Sequence, residues 1–293
     1  MISGFINLDK PPKISSGKAL GILKRILRQN GIECKIGHFG TLDPLAVGVL
    51  PIALGRATRL FGYALDKEKI YEAEFIFGAS SPSLDTDTEI SYSDGINVTA
   101  DELRRVIPSQ IGEIMQTPPV FSAKNVNGVR AYKLARKGED TELAPNKVVI
   151  NSIEILAETA VNTFGMRIVC GGGTYIRAIG RDIASSLGTT AVMSALTRVK
   201  SGIFEIGDSV TLDFLEKNPD KITEKIVPLR KMLDLYESVA VNSEELKFLR
   251  DGKRITSIRA DAGKYYSVYS DGEPVGIGAS DDEGKFFVKT WLL

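Results

Sequence analysis

One carboxylate lies in surroundings that make it a candidate for chemistry. Asp43 is set in GHFGTLDPLAVGVLPIALGRATR, the stretch from Gly37 to Arg59, whose other members are mostly Gly, Leu, Val, Ala and Pro. Burying an unpaired carboxylate in such company is costly or raises its pKa. Pro44 has no N–H and pushes Asp43 out of the helical region toward an extended or turn conformation. Gly37, Gly40 and Gly48 permit close backbone approach or unusual dihedrals. These features describe a tight loop that holds one acid at the edge of an apolar floor of Val47, Val49, Leu50 and Ile52. A carboxylate so placed can attack a carbon or take a proton. Asp-Pro is also a common turn starter, so the residues alone leave both readings open.

The elements that must position Asp43 can be read along the chain. GFINLDK is a short apolar strand broken by Pro11-Pro12. Ser15 or Ser16 can cap the helix that follows, in which Leu20, Leu23 and Leu27 form an apolar stripe and Asn30-Gly31 marks the end. RATRLFGYALDKEK is expected to be helical. IYEAEFIFG alternates as a half-buried strand, with Tyr71, Ala73, Phe75 and Phe77 on one face. A tyrosine at a strand start is ordinarily core. SSPSLDTDTEI reads as a loop in which Asp85 and Asp87 either position a substrate or, the simpler reading, cap turns. Thr99 and Glu102 make a capping box. From Thr117 to Asp140 runs a basic strip rich in Gly and Pro, interleaved with Phe121 and Tyr132 and suited to phosphates and stacking. KVVINSIEILAETA and NTFGMRIVC are two strands. Gly171 to Gly173 lack the Lys-Ser/Thr of a phosphate cradle and read as a bulged strand end. In the helix after them, Ile176, Ile179, Ile183 and Leu187 line one face, and Arg177 and Arg181 share a neighbouring one. Taken alone, Arg177 reads as a surface residue. Asn242 and Glu245 box another helix, and short strands with turns at Asp271-Gly272 and Glu283-Gly284 outline a small β-barrel.

Composition narrows the classes. The chain has 293 residues, 43% hydrophobic and 25% charged, enough for one large core and a small second domain. Cys34 and Cys170 lie far apart and there is one histidine, which argues against a Cys/His zinc site and for buried thiols in a reducing cytoplasm. No apolar run reaches membrane-spanning length, so a cytoplasmic protein is expected. The net charge of zero lacks the usual signature of a nucleic-acid binder. Local basic clusters can still meet phosphates: Lys24, Arg25 and Arg28; Lys124 to Lys137; Arg198 and Lys200; Lys247 to Arg254. For any one of these a solvated face is the more ordinary reading.

His38, Gly40, Thr41, Leu42, Asp43, Pro44, Ala46, Gly48, Val49, Leu50 and Gly55 reproduce, in order, a motif of known chemistry. The chain here resembles the TruB-type tRNA pseudouridine synthases around their catalytic aspartate. The resemblance implies an α+β pseudouridine synthase fold: a mixed, mostly antiparallel sheet flanked by helices. It places a catalytic domain at 1–235 with an RNA-binding thumb inserted at about 116–145, then a PUA-like RNA-binding β-barrel at 236–293. It implies isomerisation of uridine to pseudouridine at position 55, in the T loop of tRNA, by base flipping, without cofactor or metal, in a monomer whose partner is the tRNA T stem-loop. Gly173, Thr174, Tyr175, Ile176 and Arg177 match the motif whose arginine pairs with the aspartate and should lower its pKa. Lys69, Tyr71 and Gly78 match the one whose tyrosine stacks on the base and assists deprotonation. By the same resemblance His38 helps fill the space the flipped base leaves. Lys10 and Pro11 buttress the catalytic loop, Leu196 walls the pocket, and Lys124, Tyr132, Arg136, Tyr175 and Arg198 contact substrate. The chain departs from the pattern at Lys13, where the family has Gly, and at Gly171, Gly172, Val192 and Thr197.

Two other classes fit parts of the sequence. A non-catalytic RNA-binding protein on the same scaffold would suit the zero net charge and the PUA-like end. A carboxylate glycoside hydrolase would need a second positioned acid, for which Glu72 and Asp85 are the nearby candidates.

Overall fold

The computed structural model describes residues 2–65, 67–122, 124–126, 128–135, 137–138 and 143–293. Its main element is an 11-stranded sheet. The principal path runs Val210–Thr211, Gly4–Lys10, Val47–Leu54, Ala191–Ser201, Lys69–Phe77, Thr163–Cys170, Asn146–Ala160, Gly112–Gln116. Most neighbours are antiparallel; Val210–Thr211 meets Gly4–Lys10 in parallel, and so do Val47–Leu54 and Ala191–Ser201, over Thr197↔Val47 and Arg198↔Gly48. A separate four-stranded sheet, Glu237–Ala240, Tyr266–Ser270, Glu273–Ser280 and Phe286–Trp291, forms the C-terminal unit and is consistent with a PUA-like domain.

Burial explains which strands alternate and which do not. Val47–Leu54 is apolar throughout because both its faces are covered. Leu50, Ile52 and Leu54 face Ala19, Leu23, Ile26 and Leu27 of the helix Ser16–Gln29 and the large core, whereas Val49 and Ala53 join Leu229, Met232, Leu233, Ile277 and Leu292 on the other side. In the first helix Leu23 and Leu27 are buried as the stripe predicts, and Leu20 is half-buried. Lys69–Phe77 buries Lys69, Tyr71, Ala73, Phe75 and Phe77 and turns Glu72 and Glu74 outward, where Glu72 pairs with Arg167 at 2.8 Å.

The helix Ile176–Ser186 lies against this strand at Gly180, where a Cβ would come 2.4 Å from the ring of Phe75. Glycine therefore sets the depth at which Arg177, one turn earlier, meets the sheet. Both capping boxes, Thr99 with Glu102 and Asn242 with Glu245, are present. RATRLFGYALDKEK is shorter in helix than expected: a 3-10 segment Gly55–Leu60 runs into a helix Phe61–Leu65.

Candidate active site

Three strands come level at one point. Arg198 is the register partner of Gly48 on one side and of Tyr71 on the other. Gly48 has φ +95°, and a Cβ there would lie 2.5 Å from the Arg198 carbonyl oxygen, so only glycine permits this approach. Asp43 sits in the loop between Ile36–His38 and Val47–Leu54, above this junction.

The loop is held from below by side chains that grip its backbone. Lys10 is fully buried, and its Nζ donates to the carbonyls of Pro11 at 2.8 Å, Ile14 at 2.7 Å and Pro44 at 3.4 Å. The Lys13 N–H donates to the same Pro44 oxygen at 2.8 Å. Lys13 has φ +64°, so the turn keeps a left-handed geometry with lysine in it. The Ser16 hydroxyl lies 2.8 Å from the Leu42 N–H and 2.9 Å from the Leu42 carbonyl. Arg198 donates from Nε to Val49 O at 2.7 Å and from Nη2 to Gly40 O at 3.0 Å.

Arg177 closes the site from the helix side. Its Nε lies 3.0 Å from Asp43 Oδ2. Nη1 donates to Ser83 O at 2.6 Å and lies 3.4 Å from Asp85 Oδ2; Nη2 donates to Phe121 O at 3.0 Å. Two carboxylates thus share one guanidinium. Asp85 is 2% exposed and accepts from the Ser83 hydroxyl and the Asp87 N–H. Asp43 keeps 35% exposure, into a cavity of about 300 Å³ that Tyr71, Leu196, Tyr175 and Lys124 help to wall.

The electrostatics depart from expectation. Arg177 was expected to lower the pKa of Asp43. Arg177 does act in that direction, but burial outweighs it and Asp85 adds to burial, so the net shift is upward. Tyr71 is also raised, by burial foremost, against the buried Arg198, which hydrogen-bonds it. At neutral pH its phenol carries its proton. His38 is lowered, by burial and then by Arg198.

The remaining predicted residues fall in different places. Leu196, Tyr175 and Lys124 line the cavity. Lys124 Nζ also donates to Ala144 O at 2.8 Å and Asn146 Oδ1 at 3.0 Å, tying it to the start of the strand Asn146–Ala160. Pro11 is half-buried, and its carbonyl takes one of the Lys10 bonds. His38 is half-buried beside the loop and is not among the residues lining the cavity. Arg198 corrects the reading of a surface cluster with Lys200: it is 1% exposed, its guanidinium grips the backbone at Gly40 and Val49, and it lines the cavity. Arg177 is likewise buried, at 5% exposure, because its partners are carboxylates that no helical wheel displays. Tyr132 belongs to the helix Ala131–Ala135, with its side chain outside the described set, and Arg136 lies outside the described residues.

Three positioning residues escaped sequence reasoning: Asp85, Ser16 and Gln116. Gln116 is 1% exposed, and its amide accepts from the Tyr175 N–H at 2.8 Å and donates to the Tyr175 carbonyl at 3.2 Å. It thereby fixes the residue that caps the start of the Arg177 helix. The neighbouring Arg181 Nη2 donates to Thr117 O at 2.9 Å. No local pattern marks the contacts of Ser16 with Leu42, of Gln116 with Tyr175 and of Asp85 with Arg177, since these partners are distant in sequence. A pair of acids serving glycoside hydrolysis does not form: Glu72 is paired outward with Arg167, and Asp85 does not line the cavity.

The TruB family pseudouridylate synthase N-terminal domain matches residues 24–176, which hold Asp43 and Tyr71. The chain belongs to the TruB family of pseudouridylate synthases. It is 39% identical over 268 residues to a tRNA pseudouridine synthase B of Anaplasma marginale (strain St. Maries), covering 90% of this chain and 86% of that protein. A namesake from Clostridium acetobutylicum is 36% identical, covering 98% of this chain and 99% of its own. Among solved structures, a Cbf5–Nop10–Gar1 complex contains a chain that superposes with a TM-score of 0.74 at 25% identity, covering 99% of this chain and 85% of that one. An archaeal box H/ACA Nop10–Cbf5 complex gives 0.72 at 26% identity, covering 99% and 86%. This TruB-family chain is an isomerase of the pseudouridine synthase class, and its fold extends through the PUA-like end.

Proposed function

We propose that this chain converts the T-loop uridine at position 55 of tRNA to pseudouridine, with Asp43 as the essential carboxylate. The observation that carries the reading is the Asp43–Arg177 contact of 3.0 Å at the wall of a cavity that also presents Tyr71 and Leu196. The relatives named tRNA pseudouridine synthase B support tRNA as the substrate.

The reaction breaks the bond between C1′ and N1, turns the base and joins C1′ to C5; the C5 proton leaves and N1 gains one, so no atom or electron is lost overall. Ionised Asp43 acts on the ribose or base, either by covalent attack or by taking a sugar proton. Arg177 opposes protonation of Asp43 and holds the carboxylate by a charge-assisted bond. The Tyr71 ring and Leu196 give the base a flat and an apolar wall, which suits a base taken out of its stack. Residues 1–235 carry the chemistry and 236–293 the PUA-like domain. The thumb at about 116–145 closes over the arm, with Lys124 at its base.

The test is tritium release from tRNA labelled at uridine C5. Asp43→Asn should bind tRNA within about twofold of wild type while losing release by at least ~10³-fold, the scale expected when an acting group is removed. Undiminished release by the variant would remove Asp43 from the mechanism.

A further inference from the structure

The helix Phe61–Leu65 and the C-terminal sheet meet at a cleft of about 510 Å³ that shares no lining residue with the active-site cavity and is within the range of ordinary ligand pockets. Three tyrosines from separate parts of the chain converge there. Tyr63 comes from the helix Phe61–Leu65, Tyr236 precedes the strand Glu237–Ala240, and Tyr265 precedes Tyr266–Ser270. Their rings pack edge to face, with centroids 5.1 Å apart for Tyr63 and Tyr265, 6.2 Å for Tyr63 and Tyr236 and 6.4 Å for Tyr236 and Tyr265. Three cations stand around them. Lys67 Nζ lies 4.7 Å from the centre of the Tyr236 ring, Lys289 Nζ lies 4.7 Å from that of Tyr265, and Arg59 reaches the carbonyls of Trp291 at 2.7 Å and Leu293 at 3.1 Å. No carboxylate is among the described residues that line the cleft.

This composition selects a ligand. Three positive charges reject a cation, although tyrosine clusters otherwise attract them. An apolar molecule has no use for the charges, and a bare inorganic anion has none for the rings. A nucleotide uses both: its phosphate meets the cations and its base meets an aromatic ring. The base must be unpaired, because a base inside a duplex has no free face to offer. Tyr265 is 38% exposed, at a rim such a base can reach.

We propose that this seam is a second RNA subsite, which takes an unpaired nucleotide of the tRNA outside the arm that enters the active site. The proposal rests on the tRNA reading above. The subsite spans both domains, so docking there also fixes their relative position.

Two single variants test it, Tyr265→Ala and Lys289→Ala, both at exposed rim positions, with thermal unfolding as the check on folding. Each is titrated with intact unmodified tRNA and with an isolated T stem-loop. Tyr265→Ala should bind intact tRNA about tenfold more weakly, within the range measured for loss of one stacked base, with the stem-loop bound as by wild type. Lys289→Ala should reduce the slope of log affinity against log salt for intact tRNA by about 0.7 to 0.9, one phosphate's worth. Hydroxyl-radical footprinting of the wild-type complex should show protection outside the T arm that Tyr265→Ala loses. Unchanged affinity for intact tRNA overturns the proposal. Equal weakening for both RNAs also overturns it, because the seam then acts only through domain packing. Failure of wild type to release tritium would instead remove the catalytic reading, and the two affinity ratios would still report on the seam.

Discussion

Lys10 should make the stability of this protein rise with pH on the alkaline side. Its side chain has no exposure, and burial lowers its pKa from 10.5 to about 8, against Asp43 and Asp87, which both raise it. Below pH 8 both folded and unfolded chains carry the proton, and the folded state bears the full cost of a buried ammonium. Between about 8 and 10.5 the folded state has released a proton that the unfolded state still binds, so stability climbs through that window. At 1.36 kcal/mol per unit, the gap amounts to about 3 kcal/mol, of which about 2 is gained by pH 9.5. The assay is urea unfolding at half-unit steps from pH 7 to 9.5, wild type beside Lys10→Met. Subtracting the two curves cancels the other titrating groups. The difference should move in favour of wild type by about 2 kcal/mol across the range. Curves that stay parallel within about 0.5 kcal/mol would refute the claim that Lys10 is held as a buried cation at neutral pH.

Two further substitutions probe the supports of the site. Gln116→Leu removes both bonds to the Tyr175 backbone and leaves a helix-terminal N–H unpaired, which should cost about 2 kcal/mol in thermal or urea unfolding. Its single-turnover rate should fall as well, since Arg177 lies two residues beyond Tyr175; a stability loss with an unchanged rate would make Gln116 structural only. Lys13→Gly should stabilise the protein by about 0.5 kcal/mol, because relief of a left-handed lysine exceeds the extra chain entropy of glycine. A destabilised Lys13→Gly variant would mean that the lysine side chain supports the turn.

The features legible in the sequence are those with a local cause. The Thr99 and Asn242 capping boxes and the alternation from Tyr71 to Phe77 each follow from spacing within one element. Asp43 was legible because a carboxylate among glycines and aliphatics is out of place. Its partner was not: Arg177 shares a helix with Arg181 and differs only in what lies opposite, and only the family motif singled it out. Asp85 read as a turn residue, and it does hold the Asp87 N–H, yet its other oxygen faces Arg177. Arg198 read as a possible phosphate contact because charge in a sequence carries no depth. The direction of the Asp43 shift was missed for a related reason: a cation is visible in the sequence, whereas the burial that outweighs it appears only when the loop is folded against three strands.

Arg177 also links parts of the chain that have no other reason to move together. Through its three nitrogens it holds the Asp43 loop, the Ser83–Asp85 turn and the Phe121 carbonyl. Gln116 and Arg181 tie the chain just before Phe121, at Gln116 and Thr117, to the same helix. Displacing Phe121 takes one acceptor from a guanidinium that is 5% exposed, and an unsatisfied buried donor is costly. The fork therefore favours one arrangement, in which Phe121 is seated and Asp43 is paired. A lysine at 177 would keep the charge but not the fork, since one ammonium cannot reach four backbone and carboxylate partners on three separate segments in fixed directions. The geometry thus joins the position of the segment around Phe121 to that of the Asp43 carboxylate, through one side chain.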